Sequence, residues 1–227
     1  RSLASARRIP DTTATERHIL VRRDSAALGG LPVVAAGGRQ EVRGDTIIVR
    51  RRTPPDSGAP PPEGLFPSAD VPIGLQGVGR TARRILAEVR GRRGAGPTRA
   101  DTAAALTRWV ARQIATDTAP GTSGSVALAL RAGRGSPDAK ARLLASLART
   151  AQIPARVVSG LAVLPQGSFT HSWTELWVDG WVAADPTFGQ YPASASLVRL
   201  TTGGRSRPVD LVPLAASAQF LPLPPVR

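Results

Sequence analysis

Apolar positions change their period once along this chain. They keep a helical spacing from Gly79 to Ala151 and alternate after Pro154. Ala82, Ile85, Leu86 and Val89 fall at i, i+3, i+4 and i+7, which predicts a helix ended by Gly94-Ala95-Gly96-Pro97. Asp101 starts a second helix with the stripe Leu106, Trp109, Val110 and Ile114, broken at Pro120-Gly121. A short helix follows over 125–131, and then a tight loop at Gly133-Arg134-Gly135. Ser136-Pro137-Asp138 opens the strongest helix, whose buried face is Ala139, Leu143, Leu144, Leu147, Ala148 and Ala151. Beyond Pro154, strands are expected at Arg156–Val163, His171–Val178, Trp181–Ala184 and Leu197–Thr201.

The first fifty residues read differently. His18–Arg22 and Thr46–Arg50 are short strand-like runs, with Gln40–Arg43 as a third and turn signals at Gly29-Gly30, Gly37-Gly38 and Gly44-Asp45. Seven prolines crowd residues 53–75, the composition of a connector. The expected organisation is a lead-in and small β layer over 1–52, a Pro-rich linker over 53–75, one main domain over 76–212 and a tail over 213–227. Helices followed by an antiparallel sheet define an α+β fold carrying an N-terminal β appendage. No internal repeat is visible.

Composition narrows the chemistry. There is no cysteine among the 227 residues, which removes disulfides, thiolate metal sites and a thiol nucleophile. No phosphate loop, metal-ligand cluster or dinucleotide fingerprint is present, so neither a cofactor nor a metal is expected. The net charge is +14; residues 1–135 carry 22 basic and 11 acidic residues, and residues 136–227 carry 8 and 5. Lys140 is the only lysine, and an arginine bias of this kind is typical of a GC-rich genome. With four Trp, one Tyr and four Phe, little is available for base stacking, and nucleic acid is disfavoured as a partner. No apolar run reaches the ~20 residues of a membrane span. A chain that opens at Arg1 without methionine is expected to be a processed product or an excised segment. The compartment stays open; the cell envelope or secretion, with a leader or anchor removed, is compatible with it. The oligomeric state is not legible.

Several segments then combine. Gly135-Ser136, the helix Pro137–Ala151, Gln152-Ile153-Pro154-Ala155-Arg156, Val158-Ser159-Gly160, His171-Ser172-Trp173, Gly180-Trp181-Val182 and Asp185-Pro186-Thr187-Phe188-Gly189 resemble, in order and spacing, the core of bacterial transglutaminase-like proteins, whose layout is that of papain-type thiol hydrolases. The resemblance is dense over about 101–200 and weaker back to 76 and forward to 212. It implies an acyl-transfer triad acting on a peptide or protein amide, with a cysteine at the helix start, a histidine on a strand and an aspartate on the neighbouring strand. Those roles fall on Ser136, His171 and Asp185, so serine stands where the family keeps its cysteine.

Each residue also has a plainer reading. Serine before proline and aspartate is a good helix start by capping alone; an active serine and an introduced replacement of a cysteine are the other readings of Ser136. His171 can close a polar cleft, and Asp185 before Pro186 can begin a turn. Trp173, Trp177 and Trp181 are expected to be an aromatic packing layer, and Glu175 a solvated strand position. The hairpin around Asp179-Gly180 offers a test. A two-residue loop pairs Val178 with Trp181 and puts His171 and Asp185 on opposite faces, whereas a three-residue loop with Gly180 left-handed, or a bulge, puts them on one face. Two functions remain: amide acyl transfer or hydrolysis, and non-catalytic binding of peptide or cell-envelope ligands. A weaker third is a basic adhesive module using the arginines of residues 1–93.

Overall fold

The computed structural model describes residues 15–23, 39–53, 61–62, 64, 77–92, 96–119, 124–165, 167–202 and 218–223. The lead-in, the Gly29-Gly30 and Gly37-Gly38 turns and most of the Pro-rich linker lie outside them. In chain order the elements are β1 (Glu16–Arg23), β2 (Gln40–Arg43), β3 (Thr46–Arg50), α1 (Val78–Arg92), α2 (Arg99–Gln113), β4 (Ala115–Thr116), α3 (Val126–Ala132), β5 (Arg134–Gly135), α4 (Pro137–Thr150), β6 (Ala155–Leu164), β7 (Gly167–Trp177), β8 (Trp181–Ala184), β9 (Leu197–Thr202) and β10 (Ala218–Pro222). The α+β class read from the sequence is the observed one.

The chain divides into two compact units. The first takes residues 1–52, 158–172 and 193–227. Its outer sheet runs β10-β1-β3-β2, all antiparallel. Ile19, Val21, Ile47, Val49, Leu161, Val163, Val198, Leu200 and Phe220 form its core. The alternation of Ile19 and Val21, and of Ile47 and Val49, sends one face of each strand inward. Residues 213–227, expected as a tail, contribute β10, which pairs with β1 from Ile19↔Pro222 to Arg23↔Ala218. Gln40 acts as a side-chain strand: Oε1 accepts the Arg199 N–H and Nε2 donates to the Arg199 carbonyl, both at 2.8 Å.

The second unit takes residues 53–157 and 173–192. Helices α1, α2 and α3 all pack on α4. Val78, Ala82, Ile85, Leu106, Val110, Val126, Leu143, Leu144 and Leu147 fill the space between them, as the 3.6-residue period requires. The α2 start is a full capping box: Thr98 Oγ1 accepts the Asp101 N–H at 3.1 Å, and an Asp101 carboxylate oxygen accepts the Thr98 N–H at 3.1 Å.

A further sheet has the order β8-β7-β6-β9. In the second unit, Thr174 of β7 donates through Oγ1 to the Ala141 carbonyl of α4 at 2.8 Å. Leu176, two residues on, enters the helical core.

Candidate active site

Everything at the start of α4 serves to fix its first turn. Gly133 ends α3 in the left-handed region at φ 64, where glycine avoids the Cβ penalty. Arg134-Gly135, expected as a loop, forms instead a short parallel ladder with Ala115-Thr116. The reason lies in the backbone donors: Ala115 N–H reaches the Gly133 carbonyl at 2.8 Å and Asp117 N–H the Gly135 carbonyl at 2.9 Å. Gly135 is also a close approach. A Cβ there would lie 2.9 Å from the Ala129 methyl of α3 and 3.2 Å from that of Ala139 in α4.

Ser136 follows as the N-cap of α4, extended at φ −63, ψ 161, and half-buried. Its Oγ accepts the Ala139 N–H at 3.1 Å, and its carbonyl accepts the Lys140 N–H at 3.0 Å. Pro137 has no N–H to satisfy. Asp138 complements the helix dipole and accepts from Arg142 Nε at 2.8 Å. The hydroxyl is thus engaged as a cap.

One turn along the helix stands the only lysine. Lys140 is 1% exposed, inside the stripe otherwise made by Ala139, Leu143, Leu144 and Leu147. Its Nζ donates to the Ile114 carbonyl at 2.7 Å and to Thr116 Oγ1 at 3.0 Å. The cation therefore joins the C-cap of α2, strand β4 and helix α4. Burial pulls the amine down from 10.5 to about 8, against the opposing pull of the Asp185 carboxylate. A lysine at i+4 from Ser136 on an otherwise apolar stripe is the sequence signal of that environment.

Asp185 is fully buried. One carboxylate oxygen accepts the Thr187 N–H at 2.8 Å and the Phe188 N–H at 3.2 Å. Its backbone exchanges two bonds with Gln190, at 2.9 and 3.0 Å, closing the 185–190 loop. The turn-forming reading of Asp-Pro is what its Oδ1 does. The Coulombic link to Lys140 brings Asp185 and the first turns of α4 into one electrostatic neighbourhood within the second unit.

The β7–β8 hairpin resolves its register. Trp177 pairs with Trp181 and Thr174 with Ala184, leaving a three-residue loop, Val178-Asp179-Gly180. The left-handed residue is Asp179, at φ 51, rather than Gly180, which takes φ 137. Aspartate tolerates the left-handed region, whereas φ 137 is open mainly to glycine. The paired register ends at Thr174↔Ala184, and Asp185 is bridged to Gln190 instead. His171 is itself fully buried, on the part of β7 that belongs to the first unit.

Glu175 departs from its expected solvated position. It is 2% exposed, and its Oε2 accepts from Arg156 Nε at 2.7 Å and Nη2 at 2.6 Å. The Arg156 guanidinium also lies 4.0 Å from the Trp181 ring centre, and Trp181 meets Trp177 edge to face at 5.5 Å. Trp173 is fully buried. Among the described residues no group of three or more His, Cys, Asp or Glu is placed to hold a metal. No helix there is long and apolar enough to cross a membrane.

With this geometry in hand, comparison places the chain's core. Residues 85–186 match the family model described as the transglutaminase-like superfamily, so this segment is similar to the core of those proteins. Three solved structures are similar. One is a protein from Cytophaga hutchinsonii described as a cysteine protease, at 16% identity over 92% of this chain and 81% of that one, TM-score 0.47. Another is the periplasmic domain of TgpA from Pseudomonas aeruginosa, at 26% identity over 55% of this chain and 45% of that one, TM-score 0.37. A third is described only as a TGase, at 16% identity over 48% of this chain and 31% of that one, TM-score 0.37. No curated protein matches the chain.

Proposed function

We propose that the transglutaminase-like core of this chain is a peptide-binding module with little or no acyl-transfer turnover. The observation that carries this reading is the engagement of Ser136, whose Oγ accepts the Ala139 N–H at 3.1 Å. A thiol at a helix start ionises readily, because its reference pKa of ~8.5 is already near neutral and the helix dipole lowers it. A serine hydroxyl has no ionised population there and depends on an aligned base and an oxyanion hole. A hydroxyl already serving as a cap is less free to meet that base. The peptide class of ligand follows from the transglutaminase-like core.

A second reading is a serine triad of Ser136, His171 and Asp185. The three-residue loop at Val178–Gly180 favours it, being the hairpin form this reading requires.

The two readings separate on the wild-type chain, Ser136→Ala and Ser136→Cys, each given a model amide, a serine-directed phosphonate and a thiol-directed electrophile. The expected result is no Ser136-dependent turnover or phosphonate labelling, with reactivity toward the electrophile gained by Ser136→Cys. Amide hydrolysis that Ser136→Ala abolishes would establish the triad. If Ser136→Cys is as inert as Ser136→Ala, the site has lost more than its sulfur.

A further inference from the structure

Arginine is abundant throughout the chain, but its neighbours differ from place to place. Six exposed or half-buried arginines of the described residues sit beside acids: Arg43 by Glu41, Arg50 by Glu16 and Glu41, Arg99 by Asp179, Arg134 by Asp117, Arg142 by Asp138 and Arg156 by Glu175. The outer faces of α1 and of α2 beyond Arg99 are different. Arg80, Arg83, Arg84 and Arg90 on α1, and Arg108 and Arg112 on α2, are all exposed. None of the six makes an ion pair with a described residue. The abundance of arginine in the chain accounts for their number and leaves the missing acids unexplained.

Their placement is two-dimensional. Both helices pack on α4 and on each other, so their outer faces lie side by side. On α1 the buried stripe is Val78, Ala82 and Ile85, and at 100° per residue Arg80, Arg83 and Arg84 fall on the opposite side. On α2 the buried set is Thr102, Ala103, Leu106, Thr107 and Val110, and Arg108 and Arg112 again stand opposite. Arg84 bridges the seam, its guanidinium 6.0 Å from the ring centre of Trp109. The acids on these helices are Glu88, which is exposed, and Asp101, which is occupied in the α2 capping box. Neighbouring helix axes lie about 8–10 Å apart and the Debye length is about 10 Å at 0.1 M salt, so these guanidiniums act as one field.

We propose that the α1–α2 outer face is a docking surface for an anionic phospholipid bilayer. A two-dimensional array of guanidiniums complements a sheet of phosphate headgroups, each of which an arginine fork can engage through two N–H donors. A single nucleic-acid strand is matched better by a groove with aromatic platforms, and Trp109, already under Arg84, is the one aromatic on the two helices. The exposed large apolar residues described in the chain are Val42, Leu128 and Leu223. None belongs to this face, so adsorption stops at headgroup level and depends on charge.

The test is co-sedimentation of the full chain with vesicles of phosphatidylcholine alone and of phosphatidylcholine with about a third phosphatidylglycerol. Binding is expected to the anionic vesicles only, falling about tenfold or more between ~0.05 M and ~0.3 M salt. Two separate double variants, Arg80→Gln with Arg83→Gln and Arg108→Gln with Arg112→Gln, should each weaken binding about tenfold. Arg22→Gln with Arg43→Gln, equal in charge but in the first unit, should weaken it less than about threefold. The proposal is overturned if the control pair weakens binding as much as either face pair, or if phosphatidylcholine alone binds equally well. It is also overturned if a single-stranded oligonucleotide or polyphosphate binds more tightly than the anionic vesicles, which would make the partner a soluble polyanion.

Discussion

Helix α1 sends Val78, Ala82 and Ile85 fully inside, whereas α4 buries ten residues, among them Lys140, Ser146 and Arg149. Both helices keep the same apolar period, yet their charged residues live under opposite rules. Arg80, Arg83, Arg84 and Arg90 of α1 are exposed and cost the fold little beyond mutual repulsion. On α4 each buried cation must be met by an acceptor: Lys140 by the Ile114 carbonyl and Thr116 Oγ1, Arg149 by the Ala155 carbonyl at 3.0 and 2.8 Å. Period alone therefore identifies a helix, and the partners of its charges show whether it is central or peripheral.

The comparison breaks most visibly at leucines. Leu144→Ala on α4 removes a fully buried side chain and is expected to cost about 3 kcal/mol or more through lost burial and a residual cavity. Leu86→Ala on α1, at a half-buried position, should cost about 1 kcal/mol. Urea denaturation of both variants measures the difference. Equal losses would mean that α1 is as central to the fold as α4.

Lys140 gives the next effect, and it has a pH signature. Below about pH 8 the lysine is protonated in both the folded and unfolded chains, and the fold bears the full cost of burying the charge. Between about 8 and 10.5 the folded chain has shed the proton while the unfolded chain still holds it, so stability rises with pH. The gain is at most about 3 kcal/mol at ~1.4 kcal/mol per pH unit. The hydrogen bonds to Ile114 and Thr116 favour the ammonium and trim it. Lys140→Met should abolish the rise. Taking the difference between wild type and variant cancels Tyr191, whose buried phenol is pushed up and so opposes stability at higher pH. A difference that stays flat from pH 7 to about 10.5 would show that the amine keeps its ordinary value.

Much of this architecture was legible because local patterns agreed with the final environment. The α4 face from Ala139 to Leu147, the strand Trp181–Ala184 and the capping sequence Ser136-Pro137-Asp138 carry their signals within a few residues. What was not legible depends on distant partners. Strand β10 lies in a proline-rich segment that reads locally as a tail, and its pairing with β1 spans about two hundred residues. The β4–β5 ladder joins two-residue pieces with no apolar pattern. Glu175 shows the same gap: strand alternation gives its face but not Arg156, nineteen residues upstream, which is what permits its burial. At the candidate site, motif order singled out Ser136, His171 and Asp185. Lys140 was visible as an anomaly, but its acceptors, Ile114 and Thr116, come from another helix end and another strand.

The smallest effect concerns Ser136, and it separates a cap from a nucleophile without any activity assay. At the start of α4, Pro137 offers no N–H, the Lys140 N–H is taken by the Ser136 carbonyl and the Ala139 N–H by Ser136 Oγ. Replacing the hydroxyl by a methyl leaves the Ala139 donor without its acceptor, and Ser136→Ala is expected to lower stability by about 1 kcal/mol. Ser136→Asp supplies an acceptor and a charge suited to the positive helix end, so it should come within a few tenths of a kcal/mol of wild type. Ser136→Gly should also lose only a few tenths of a kcal/mol. The order expected in denaturant midpoints is therefore serine and aspartate together, glycine slightly lower and alanine lowest. A nucleophile with no capping role predicts another order: alanine equal to serine, and aspartate destabilised if its charge is held near the buried Asp185 carboxylate. Observing that second order would remove the capping argument and, with it, the main support for a core that binds without turning over.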